Sequence, residues 1–164
     1  KRGQGFPVET IYHDIYRRED LEKEYGVEYV SFDELLNRSD ILSIHVALTD
    51  STKGIINEAA FNKMKPTALI VNTSRGPVID EKALIKALEE KKIGGAALDV
   101  FEQEPTPLDN PLLRFDNVVL SPHCASATWE TRRKMAVRSV GNVKAFLEGK
   151  RPPHVVPEQR DVSF

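Results

Sequence analysis

The sequence predicts an α/β fold with a doubly wound parallel sheet, and two observations carry that expectation. Short apolar runs alternate with helical patterns along the chain, the arrangement that builds parallel sheets. Three polar residues, Arg75, Glu104 and His123, each stand just past the end of an apolar run. The runs are Ala68-Leu69-Ile70-Val71-Asn72, Ala96-Ala97-Leu98-Asp99-Val100 and Val118-Val119-Leu120. As parallel neighbours they would bring a cation, a carboxylate and an imidazole to one sheet edge. The carboxyl edge of an open α/β sheet is where ligands bind.

The elements follow in order. Thr10 to His13 reads as a strand, Glu19 to Tyr25 as a short charged helix, and Val27 to Val30 as a second strand. Ser31-Phe32-Asp33-Glu34 has the spacing of a capping box, opening a helix through Arg38. Ile41 to His45 is a third strand, and Asn57 caps a helix running to Lys63. The strand at Ala68 to Asn72 follows. Asp80 caps a helix from Glu81 to Lys92 with Ala83, Leu84 and Leu88 on one side. Gly94-Gly95 offers the left-handed turn that such an end often takes. The strands at Ala96 and Val118 bracket a proline-rich loop, Pro105 to Pro111. A long helix from about Trp129 to Gly149 carries Ala136, Val140, Val143 and Leu147 as a stripe. Pro152-Pro153 stops it. No linker splits the chain, so residues 1–150 read as one domain and 151–164 as a tail.

Composition narrows the classes of function. With 164 residues, 40% hydrophobic and 29% charged, the chain is long enough for a real core and reads as globular. A formal net charge of -2, with both signs interspersed, gives no global pull toward nucleic acid. No apolar stretch approaches the roughly 20 residues that span a bilayer. The first six residues lack the apolar core of a signal peptide. Cys124 is the only cysteine, so no intramolecular disulfide forms, which fits a reducing, cytoplasmic setting. His13, His45 and His154 show no metal-ligand spacing, and no metal is expected.

Each candidate site residue has a commonplace alternative. Asp14 follows the first predicted strand, where an acidic side chain in a dinucleotide fold accepts from the ribose 2′-hydroxyl of NAD. The alternative is a turn aspartate. Arg17 and Arg18 could hold a 2′-phosphate, but Asp14 would repel it, which favours NAD over NADP. Arg75 lies in Asn72-Thr73-Ser74-Arg75-Gly76-Pro77, where Gly76 lets the backbone turn and approach a ligand. An arginine clamps a carboxylate with two parallel hydrogen bonds; most lone arginines are simply solvated. Asp99 lies inside an apolar run, and a buried carboxylate needs a donor. A nicotinamide carboxamide offers one, and so does backbone. Glu104 and His123 bracket the proline-rich loop. A carboxylate beside a histidine favours its protonated form, and such a pair suits proton transfer. The alternative is a loop histidine with a rim glutamate. An extended Cys124–His123 pair would point to opposite faces, which argues against a nucleophilic dyad.

At these residues the sequence resembles the D-isomer-specific 2-hydroxyacid dehydrogenases. The resemblance spans nearly the whole chain. Ser39 to Thr49 is similar to the family's second signature and Met64 to Gly76 to its third. Leu98-Asp99-Val100-Phe101-Glu102-Gln103-Glu104-Pro105 and Ser121-Pro122-His123 complete the set. The resemblance implies a Rossmann-type domain and reversible, hydride-transferring reduction of a small 2-oxo acid with NAD(H). It implies that Arg75 binds the substrate carboxylate and carbonyl, and that His123 is the acid/base held by Glu104. Asp99 would contact the nicotinamide amide and Asp14 the adenosine ribose. Thr73 and Ser74 would line the nicotinamide pocket, with Val46, Ala47 and Thr49 near the adenosine, and Arg75, His123 and Ala125 would also contact the cofactor. A homodimer is implied as well. Ser126 to Thr131 and Val156 to Gln159 look most like glyoxylate or hydroxypyruvate reductases. Phosphoglycerate dehydrogenase and NAD(H)-sensing corepressors of the same fold are the rivals. Glu104 argues against the formate dehydrogenase branch, which resembles this family with glutamine there.

The chain also departs from the family pattern. Ala47 stands where proline is usual, and a usual glycine is absent near Cys124-Ala125. The G-x-G-x-x-G turn, the strand before it and the substrate domain are not in this sequence. The chain is expected to open inside the helix after that turn, to belong to a longer polypeptide, and to be inactive alone. The strands at Thr10 and Ile41 are then expected to face a gap, with unpaired backbone groups.

Overall fold

A computed structural model describes residues 5–162. The helix expected at the opening of the chain falls on residues 1–4 and lies outside the described residues. The chain forms two compact units, Lys1–Pro122 and His123–Phe164.

The first unit contains two parallel sheets. Strand β1 (Ile11–Tyr12) pairs with β2 (Glu28–Tyr29) across helix α1 (Glu19–Tyr25). After α2 (Phe32–Arg38), the second sheet runs in the order β3 (Ile41–Ile44), β4 (Leu69–Asn72), β5 (Gly95–Leu98), β6 (Val118–Leu120), all parallel. Helices α3 (Glu58–Phe61) and α4 (Glu81–Glu89) connect the strands. This is a Rossmann-like α/β arrangement. Among the described residues, β1 and β3 each pair on one side only.

Side-chain caps start the helices. Ser31 accepts from Glu34 N (3.2 Å), Asn57 from Ala60 N (3.1 Å) and Asp80 from Ala83 N (3.0 Å). Each such cap contributes about 0.5–2 kcal/mol. The capping box at Ser31 is only half formed, because the Glu34 carboxylate turns to Arg38 (2.8 Å). Arg38 also binds Glu28 (2.7 Å) and Glu9 (2.6 Å), so one guanidinium ties α2 to β2 and the approach to β1.

The core of this unit holds Leu36, Phe61, Ile70, Leu84, Ile93 and Leu112, all almost fully buried. Burial of each side chain supplies about 1.5–3 kcal/mol. Strand β3 alternates exposed Ile41 and Ser43 with buried Leu42 and Ile44, so it is buried on one face only.

Two expectations about α4 change. The helix ends at Glu89, and the left-handed residue after it is Lys91 (φ 54°), not a glycine. Gly94 and Gly95 serve close approach instead. A Cβ on Gly94 would lie 2.7 Å from the Thr67 carbonyl oxygen, and one on Gly95 would lie 2.4 Å from that of Asn117.

In the second unit, helix α5 (Trp129–Leu147) is capped by Thr128, which accepts from Thr131 N. None of its residues is buried. The stripe of Ala136, Val140, Val143 and Leu147 is exposed throughout.

A glycine-to-alanine series tests the close approaches by urea denaturation. Gly95→Ala should cost about 1–3 kcal/mol, and Gly76→Ala more, since its Cβ would meet the Phe101 carbonyl oxygen at 1.8 Å. Gly141→Ala, inside α5 with nothing within 4 Å, should gain about 1 kcal/mol. Equal midpoints for all three would contradict the packing. A pH series tests the surface ion pairs. Hydrogen bonding to Arg18 holds the Asp20 carboxyl down at about 2. Arg38 does the same in direction for Glu28, and Lys86 for Glu58. Folded values below the unfolded ones mean stability that is complete above the ordinary carboxylate range. It is lost as the pH falls through the folded values. Denaturation midpoints should therefore drop from about pH 4.5 toward about pH 2, and by less in high salt.

Candidate active site

The register of the second sheet builds the site. Ile44, Asn72, Leu98 and Leu120 lie side by side at the carboxyl ends of four parallel strands. The residues that follow each strand therefore leave from one edge: His45 and Val46, then Thr73 to Arg75, then Asp99, then Ser121.

Asn72 organises the turn that carries Arg75. It is 1% exposed. Its Oδ1 accepts from Ser74 N and Ser74 Oγ, both at 3.0 Å, and its Nδ2 donates to the Arg75 carbonyl (3.0 Å). The amide is thus used on both sides, which fixes its orientation and the turn around it. Thr73 and Arg75 are exposed at the edge. Arg75 Nη1 donates to the Ser74 carbonyl (2.7 Å), and among the described residues its guanidinium makes no ion pair. The fork is displayed and available for a carboxylate.

Asp99 is buried, and its Oδ1 accepts from Ser121 Oγ at 2.6 Å. Its backbone N donates to the Asn72 carbonyl (3.0 Å). A buried carboxylate with a hydroxyl donor at a strand end fits the role of acceptor for an amide group. Glu104 stands on the loop after β5, where its Oε1 accepts from Phe101 N (3.0 Å). Gly76 differs from the expectation placed on it. It is buried and does not take a left-handed φ. What approaches it is not open ligand space but the Phe101–Glu102 peptide, 1.8 Å from where a Cβ would be.

Val46, Ala47 and Thr49 are exposed on the loop after β3. Thr52 shapes that loop: its Oγ1 donates to the Ala47 carbonyl (2.6 Å) and accepts from Thr49 N (2.8 Å). At the end of β1, Asp14 is exposed and accepts from Tyr16 N (3.2 Å). Both neighbouring arginines are engaged in bidentate pairs, Arg17 with Glu22 (2.9 and 2.8 Å) and Arg18 with Asp20 (2.9 and 2.7 Å).

His123 and Ala125 belong to the second unit. His123 has φ 51°, so the chain there is not extended. The opposite-faces argument about Cys124 therefore has no basis at this position. His13 proves structural: its Nδ1 lies 2.9 Å from the Val30 carbonyl, and its ring stacks on Tyr29. Among the described residues, no three His, Cys, Asp or Glu side chains are grouped to hold a metal, and no helix is long and apolar enough to cross a membrane.

Sequence reading missed Asn72, Thr52, Ser121 and Glu81. Asn72 and Thr52 bond within their own turns, whereas the partners of Ser121 and Glu81 are set by tertiary placement. The only signal was a polar residue closing or following an apolar strand, at Asn72 and Ser121.

These features match known proteins closely. A glyoxylate reductase from Korarchaeum cryptofilum is 54% identical over 97% of this chain and 48% of its own length. A glyoxylate/hydroxypyruvate reductase B from Enterobacter agglomerans is 47% identical over 89% of this chain and 45% of its own. The crystal structure of a glyoxylate reductase from Paecilomyes thermophila superposes with a TM-score of 0.87 at 41% identity, covering 97% of this chain and 48% of that one. A D-lactate dehydrogenase from Aquifex aeolicus, complexed with NAD and lactic acid, gives 0.83 at 37% identity, covering 90% and 49%. The chain spans about half the length of the relatives it matches. Residues 1–125 match the family model described as D-isomer specific 2-hydroxyacid dehydrogenase, NAD binding domain, and the chain belongs to that family.

Proposed function

We propose that the protein reduces a small 2-oxo acid, glyoxylate or hydroxypyruvate, to the D-2-hydroxy acid with NADH. The observation that carries this reading is the Arg75 turn, held by Asn72 beside Asp99 at the carboxyl edge of the sheet. In this reading the Arg75 fork binds the substrate carboxylate and stabilises negative charge developing on the carbonyl oxygen. His123 delivers the proton to that oxygen, and Glu104 orients the ring. The residues present fit the two ends of the cofactor: Asp99 accepts from the carboxamide, and Asp14 accepts from the ribose hydroxyls. Thr73, Ser74 and Ala125 line the nicotinamide side, with Val46, Ala47 and Thr49 beside the adenosine. When bound, the cofactor supplies the hydride.

The names of the relatives favour the reductase over a phosphoglycerate dehydrogenase or a corepressor-like sensor. Residues 1–150 form the dinucleotide-binding domain in this reading, and residues 151–164 a tail. The protein works as a cytoplasmic homodimer, for which the exposed apolar side chains of α5 and the single cysteine are the support.

The test is turnover by the intact enzyme. NADH should be oxidised with glyoxylate or hydroxypyruvate, and His123→Ala should lower kcat by about 100-fold or more. Unchanged turnover would refute the acid/base role. NADH should be preferred to NADPH by about tenfold or more, because Asp14 repels a 2′-phosphate and both nearby arginines are already paired. Asp14→Ala should narrow the preference; equal use of both cofactors by the wild type would overturn the Asp14 assignment.

A further inference from the structure

Glu81 opens α4, yet it does not act as that helix's cap. Asp80 caps it. The Glu81 carboxylate reaches instead to the loop that carries Glu104. Its Oε2 accepts from Glu102 N (3.1 Å) and its Oε1 from Asn110 Nδ2 (2.8 Å). Asn110 is itself buried, and its Oδ1 accepts from Leu112 N (2.9 Å), so only its amide hydrogens are left to face Glu81. One carboxylate thus holds both feet of the loop, before and after Glu104. Between the feet, Glu104 Oε1 takes Phe101 N, and the Phe101–Glu102 peptide lies against Gly76. The segment from Arg75 to Glu81 therefore displays the guanidinium at one end and fixes the Glu104 loop at the other.

We propose that Glu81 and Asn110 are positioning residues for Glu104, a side-chain clamp that sets the Glu104 carboxylate relative to Arg75. The proposal rests on the role of Glu104 given above. Neither residue touches substrate. Their effect is on proton delivery, so it falls on kcat and not on binding of the 2-oxo acid or NADH.

The hydrogen-bond polarity supplies the test, made in the intact enzyme. N110D keeps the acceptor for Leu112 N but sets a carboxylate against Glu81. E81Q keeps an acceptor for Glu102 N but turns an amide donor toward the Asn110 amide. Each single variant should lower kcat by about tenfold, with the KM for glyoxylate and the Kd for NADH within about twofold. The solvent deuterium isotope effect on kcat should rise. The double variant E81Q/N110D restores a donor–acceptor pair with the roles exchanged, and should recover most of kcat. Unchanged kcat in the single variants overturns the clamp. So does a loss of kcat that the double variant fails to recover, or one matched by equal losses in KM and melting temperature. E104Q is the comparator. If it lacks the same kcat and isotope signature, the role of Glu104 fails and takes the clamp with it. If E104Q shows the signature while the clamp variants do not, only the clamp fails.

Discussion

The buried amide of Asn72 is the contact on which the candidate site depends. It closes β4 and turns the chain by binding Ser74 and the Arg75 carbonyl at once. An amide buried this deeply costs about 1–3 kcal/mol for a partner lost, so the turn and the strand end stand or fall together. The same residue's carbonyl accepts from Asp99 N. Sheet register, arginine display and the placement of the buried aspartate are thus one cooperative unit, not three features that happen to adjoin.

From that unit the order spreads outward along one short segment. Gly76 gives the Phe101–Glu102 peptide its place, and Glu81 fixes the next turn of chain. The end of β1 is built differently. There, exposed ion pairs to α1 occupy Arg17 and Arg18, and Asp14, the group proposed to face a ribose, stays exposed. Exposed pairs contribute little stability. In the proposed reading their consequence is for selectivity, because a guanidinium already bound twice is a poor host for a further phosphate.

The strands and capped helices were legible because their signals are local. Apolar runs such as Leu69 to Asn72 and caps such as Ser31, Asn57 and Asp80 act within a few residues. The positions of Arg75, Asp99 and Glu104 beyond the strand ends were legible because they follow or interrupt such runs. Much of what escaped depends on approaches between segments distant in sequence. Gly94 and Gly95 looked like a helix stop, yet their lack of a side chain serves Thr67 and Asn117. Glu81 looked like an ordinary acid at a helix start, yet its partners lie 21 and 29 residues away. Glu34 was half misread for a local reason: Arg38, one helical turn on, competes for its carboxylate.

The sides of β1 and β3 left unpaired among the described residues bear on behaviour in concentrated solution. A strand paired on one side exposes a row of backbone donors and acceptors that matches any other such row. Ile41, 65% exposed on β3, adds apolar surface beside it. Pairing through such a rim would depend on protein concentration, in contrast to the intramolecular contacts that hold the fold.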